Sequence, residues 1–191
     1  MKYIPVLNEE WKEDLLSDYE EAFKALSYKL QHFNEGFLPE KGEIPATPVN
    51  KGRKEYPFPF AVIIDEMYQW MIGEKKRPKE IEVMMEDMIQ LVWFNPFVDY
   101  TELLDIPWDR WSGLMGSYTG QFYRFAQITL KLEDDEGLNA SDLALISGLS
   151  AVAIGKQIKE GKIQAKKTGT EWKIEAEEAK RWIESQNKKQ K

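Results

Sequence analysis

The sequence predicts a mainly α protein: an N-terminal helical bundle followed by a small C-terminal unit of two short helices and a two-stranded hairpin. Three observations carry that expectation. Apolar residues recur three or four apart through most of the chain. Capping residues and Gly/Pro-rich stretches cut those runs into pieces of helical length. The formal charge of −7 over 191 residues is unevenly spread, with 15 Lys+Arg against 26 Asp+Glu in residues 1–137 and 11 against 7 in residues 138–191. An acidic body thus precedes a basic module, the asymmetry of a chain that carries a contact surface for an anionic partner at one end.

The first element is expected from Asn8 to about Phe33, where Glu9 and Glu10 suit a first helical turn and Trp11, Leu15, Tyr19, Phe23 and Leu26 form one apolar stripe. Residues 34–58 hold three Gly and four Pro, which exclude a helix or central strand and predict a long loop. Its basic cluster Lys51, Arg53 and Lys54 leaves open whether the loop is merely solvated or a contact element. FAVIIDEMYQWMI, residues 60–72, is apolar on nearly every side and reads as a buried helix, although Val62, Ile63 and Ile64 also permit a short strand. After Pro78, the residues Ile81, Met84, Met85, Met88, Ile89 and Val92 form a stripe at helical spacing, either core or an adaptable groove. Pro107 opens a long helix carried by Leu114, Tyr118, Phe122, Phe125 and Ile128, with Gly113, Gly116 and Gly120 inside it. The first domain is accordingly placed at 1–132, and the run EDDEG, 133–137, reads as an acidic linker.

Several functions are disfavoured by composition. The chain has no Cys and one His, His32, so thiolate chemistry and thiolate zinc sites are excluded and a His-based triad has no visible partner. The adjacent pairs Asp65–Glu66 and Glu86–Asp87 diverge on a helix and do not form an acid–base pair. Neither a phosphate-cradling loop nor a dinucleotide turn occurs. No enzymatic activity, cofactor or metal is expected. No run approaches the roughly 20 apolar residues of a membrane helix, and the opening residues lack a signal-peptide pattern, so a cytoplasmic protein without a membrane partner is expected.

The most informative stretch is LNASDLALISGLSAVAIGKQIKEGKIQAKKTGTEWKI, residues 138–174. Asn139 is placed to cap a short helix, Gly148 to end it, and Ser150 to cap a second helix running to about Glu160. Two short helices at a Gly-containing turn follow helix-turn-helix grammar. Ile163, Ala165, Trp172 and Ile174 then share one face of a hairpin around Thr168-Gly169-Thr170. A last helix from Glu175 to about Ser185 turns Ala179, Trp182 and Ile183 inward, and the polar residues 187–191 are expected to be a disordered tail.

As an ordered set, Leu138, Leu143-Ala144, Gly148-Leu149-Ser150, Ile154, Ile158, the run Lys159 to Ile163, the hairpin Lys166 to Ile174 and Arg181-Trp182-Ile183 resemble the excisionase-type winged helix-turn-helix family, related to the DNA-binding heads of MerR-type regulators. The resemblance covers Leu138 to Ser185, and the domain is placed at 138–186. It implies a two-stranded wing and a recognition helix that starts at Ser150 and lies in the major groove of double-stranded DNA. The contacts so implied are Ser150, Ala151, Val152, Lys156 and Lys159 on the helix and Lys166, Lys167, Thr168 and Thr170 on the wing. Family members carry long polar or basic side chains where this chain has Ala151, Val152 and Gly155, and often two Arg in the wing where it has Thr170 and Glu171. Binding dominated by phosphate contacts follows, in a transcriptional regulator or recombination accessory factor. The helical N-terminal domain is then available for a homodimer or a protein partner. The rival expectation is an adaptor that uses the same face for a protein.

Overall fold

The computed structural model describes residues 4–17, 19–20, 60–93 and 117–189. Those residues are mainly helical, with one small antiparallel sheet. In chain order the elements are α1 (residues 9–17, continuing at 19–20), α2 (Phe60–Met71), α3 (Ile81–Trp93), α4 (Tyr118–Glu133), β1 (Leu138–Asn139), α5 (Ala140–Ser147), α6 (Ala151–Lys159), β2 (Lys166–Thr168), β3 (Glu171–Ile174) and α7 (Ala176–Lys189). The loop 34–58 with Lys51, Arg53 and Lys54, and also His32, Phe23, Leu26, Gly113, Gly116 and the Pro107 helix start, lie outside the described residues.

By packing, the chain falls into two compact units. One comprises residues 9–68 and 77–121. Its stripes are core stripes: Leu15, Leu16 and Tyr19 of α1, Ile64 and Met67 of α2, and Ile81, Met85 and Met88 of α3 are buried. Residues 60–71 form a helix rather than the alternative strand. Buried polar groups pin the helices to one another. Lys12 is only 3% exposed, with its Nζ 2.8 Å from a Glu9 carboxylate oxygen, 3.3 Å from Asp65 Oδ1 and 4.6 Å from the centre of the Tyr68 ring. A buried ammonium needs such company, since isolation in an apolar interior would be costly. Tyr118 donates from its hydroxyl to Asp14 at 3.0 Å, and its ring meets Trp11 edge-on.

The other unit comprises residues 1–8, 69–76 and 122–191. The boundary expected near residue 132 thus falls earlier, inside α4, and two segments distant in sequence join the C-terminal module. Val6 N–H donates to Ile146 O at 3.2 Å, and Trp70 Nε1 donates to Glu133 at 2.9 Å. The run 133–137 is folded rather than a linker. Asp135 adopts the left-handed conformation with φ +55°, and Glu136 N–H donates back to Lys131 O at 2.7 Å, which closes α4 as a Schellman turn with Asp in place of the usual Gly. Gly137 follows because a Cβ there would stand 2.8 Å from Ile174 O, closer than any side chain tolerates.

That close approach builds a third strand that the hairpin reading did not contain. β1 pairs antiparallel with β3, Leu138 opposite Ile174, while β2 pairs on the other side with Lys166 opposite Lys173 and Thr168 opposite Glu171. The sheet order is β1-β3-β2. α7 also outlasts its expected end and runs to Lys189; Gln186, Lys188 and Lys189 are good helix formers, and extending an existing helix needs no new nucleus.

Candidate nucleic-acid interface

The geometry of the C-terminal surface starts from its caps. Asn139 accepts a hydrogen bond from Asp142 N–H at 2.8 Å while Asp142 accepts from Asn139 N–H at 3.3 Å, a reciprocal capping box at the start of α5. Asp142 is nearly buried and also receives Arg124 at 3.2 Å and Lys131 at 3.4 Å, so α4 is clamped to the first short helix. Gly148 takes φ +69° and ends α5. Ser150 then caps α6 by accepting from Ala153 N–H at 3.2 Å. The turn is therefore fixed at both ends, and it sets where α6 points.

α6 divides cleanly into two faces. Ile154 and Ile158 are buried, and Gln157 Oε1 accepts from Trp182 Nε1 at 3.0 Å, which holds the helix against α7. On the other face Ala151, Val152, Lys156 and Lys159 are exposed, Val152 at 82%. Gly155 lies between them, and a Cβ built on it meets nothing within 4 Å. Nothing in the fold calls for glycine there, although it weakens a helix interior by about 1 kcal/mol relative to Ala.

Glu160 caps α6 and sits between two cations, 2.7 Å from Lys162 Nζ and 3.8 Å from Lys156 Nζ. The hydrogen bond from Lys162 holds its carboxyl below the usual Glu range. Beyond the loop, Gln164 N–H is anchored by Glu178 at 2.8 Å, and the hairpin turns at Gly169, φ +61°, and Thr170. A two-residue loop with Gly first is a favoured hairpin connection.

All nine residues expected at the interface, Ser150, Ala151, Val152, Lys156, Lys159, Lys166, Lys167, Thr168 and Thr170, are exposed. They are not electrostatically equal. Lys156 is paired with Glu160, and Lys166 with Glu175 at 3.2 Å, whereas Lys159 and Lys167 form no ion pair among the described residues. One cation escaped the sequence reading. Lys173 is exposed and stands directly across the ladder from Lys166, a like-charged pair on one face of the sheet that an anion would relieve. The register is that of a two-residue Gly169-Thr170 loop with Thr168 already in β2, whereas a turn centred on Gly169 would have set Lys166 opposite Trp172. Among the described residues no three His, Cys, Asp or Glu side chains gather as a cation site, and no helix is long and apolar enough to cross a membrane.

Compared with protein-family models, with curated proteins and with solved structures, the chain shows no match.

Proposed function

We propose that the C-terminal unit is a winged helix-turn-helix that binds double-stranded DNA, with α6 entering the major groove and the β2–β3 hairpin serving as the wing. The role is that of a transcriptional regulator or recombination accessory factor. The observation that carries the reading is the outward face of α6, where the exposed cations Lys156 and Lys159 follow the exposed small apolar residues Ala151 and Val152. The capped α5–turn–α6 pair and the hairpin after it support the same assignment. A single module of this kind reaches one half-site, so a second copy or a partner held through the N-terminal helices would raise avidity.

The test is a titration of the full chain against mixed-sequence duplex at two salt concentrations. Binding that weakens steeply with salt, with a slope near −0.9 per phosphate neutralised, is expected. A second reading, an adaptor that docks a protein on this face, is favoured by one observation: Leu149 and Val152 are both exposed apolar side chains. Absence of duplex binding at low salt, with a stable salt-insensitive complex to a protein, would establish that reading instead.

A further inference from the structure

We infer that the exposed face of α6 reads thymine methyl groups, so that the preferred ligand is duplex DNA with A·T pairs under Val152 and Ala151. This rests on the DNA reading above and adds to it the chemistry of base selection.

Base edges in the major groove are distinguished either by directional hydrogen bonds or by apolar contact with the thymine methyl. The first route is nearly closed on this helix. Its one amide, Gln157, faces inward and accepts from Trp182 Nε1 at 3.0 Å. Ser150 is occupied as the cap of α6. Neither Arg nor Asn occurs in α6. The guanidinium of Arg181, on α7, is held in a two-point pair by Glu178, with Nε at 2.9 Å and Nη2 at 2.7 Å. Lys156 and Lys159 remain, and an ammonium suits phosphate as a point charge more than it suits a base edge.

The second route is open. Val152 presents two methyl groups at 82% exposure, and the bare backbone at Gly155, one turn further along the same face, has room for close approach. The choice of a nucleic-acid occupant over a protein follows from the charge around the patch. Lys156, Lys159, Lys166, Lys167 and Lys173 are all exposed, and two of the five, Lys156 and Lys166, have acidic partners. An apolar reader bordered by uncompensated cations is complementary to a groove whose floor carries methyls and whose walls carry phosphates.

The experiment compares the full chain on two duplexes of one A·T-containing sequence, one with thymine and one with deoxyuridine, which lacks only the 5-methyl. Burial of one methyl-sized group is worth about fourfold in affinity, so the uracil duplex should bind about fourfold more weakly for each methyl in contact. Val152→Ser, on an exposed side chain, should keep the salt dependence and the melting temperature while shrinking the uracil deficit by about the fourfold that one methyl contributes. Equal binding of both duplexes by the unmodified chain would overturn the inference and leave the DNA reading intact. A uracil deficit that persists undiminished in Val152→Ser would also overturn it, by assigning the effect to DNA shape. If neither duplex binds at low salt, the DNA reading falls with it and the patch belongs to a protein partner.

Discussion

Lys156 and Lys159 of α6 and Lys180 and Arg181 of α7 are all cations, and the fold treats the two pairs differently. On α7, Arg181 is clamped by Glu178 and Lys180 lies 2.5 Å from Asp135 and 3.6 Å from Glu177. The hydrogen bond to Asp135 raises the Lys180 pKa, and the bond to Glu178 does the same for Arg181. These charges are consumed within the protein. On α6, Lys159 has no ion-pair partner among the described residues and Lys156 has only a long contact to Glu160. The lesson is that the basic excess of residues 138–191 overstates the charge available to a partner, and that position decides which lysines remain to be used.

The comparison can be broken at its foundation first. Asp142→Ala removes the capping box and leaves Arg124 and Lys131 facing a vacated, nearly buried site. The expected loss is about 2 kcal/mol, short of a fully buried pair because both cations are partly exposed, read as a lower urea midpoint. Next, Lys159→Ala with Lys167→Ala should leave stability within about 0.5 kcal/mol yet weaken duplex binding about tenfold at low salt and reduce the salt slope by about 2. Removing Arg181 instead should change stability and leave binding nearly untouched; equal effects of the two changes on DNA affinity would erase the distinction between the helices.

A smaller effect is expected at Gly155. Gly155→Ala should stabilise the protein by up to about 1 kcal/mol, since the added methyl meets no neighbour and alanine favours the helix, while duplex affinity falls if close approach is what the glycine serves. Thermal melting and a binding titration on the same sample decide it. The smallest effect is expected on the consumed side, at Glu178. Burial, the largest single influence there, pushes its carboxyl up, but hydrogen bonds from Arg181 and the Gln164 N–H together carry it below the ordinary value of 4.5. A carboxylate with a depressed pKa contributes stability that is present above the unfolded value and lost as pH falls through the folded one. The unmodified chain should therefore lose under about 1 kcal/mol between pH 5 and the folded-state pKa that Glu178→Gln does not lose, measured as melting temperature against pH.

What could be read from the sequence was what depends on neighbours in sequence. Asn139, Gly148 and Ser150 are caps because their side chains or backbone freedom act within three or four residues, and the stripes of α1 and α3 are core because periodicity alone selects a face. β1 was not legible: two residues carry no strand pattern, and they become a strand only because Gly137 lets the chain come up against Ile174. Residues 4–7 and 69–76 were likewise assigned to the N-terminal region because nothing local marks them as parts of the C-terminal unit. Lys173 was overlooked for the same reason, since its position depends on pairing across the hairpin rather than on the run around it. Of the candidate site, the exposure of all nine expected residues was legible; which of their charges are already paired was not, since Glu160 and Glu175 compete for Lys156 and Lys166 only once the chain is folded.

The C-terminal unit is discontinuous along the chain, and this has a bearing on how it assembles. Ile4 and Leu7 are fully buried, and Val6 between them bonds to Ile146, so two stretches about 140 residues apart complete one another. Two excursions, residues 9–68 and 77–121, must be bridged before that contact exists. Contacts so distant in sequence slow folding far more than they weaken the finished state, because the entropy of closing a loop rises only with the logarithm of its length. A fragment beginning at residue 133 is therefore a poor substitute for the unit, lacking Val6, Trp70, Arg124 and Lys131 together.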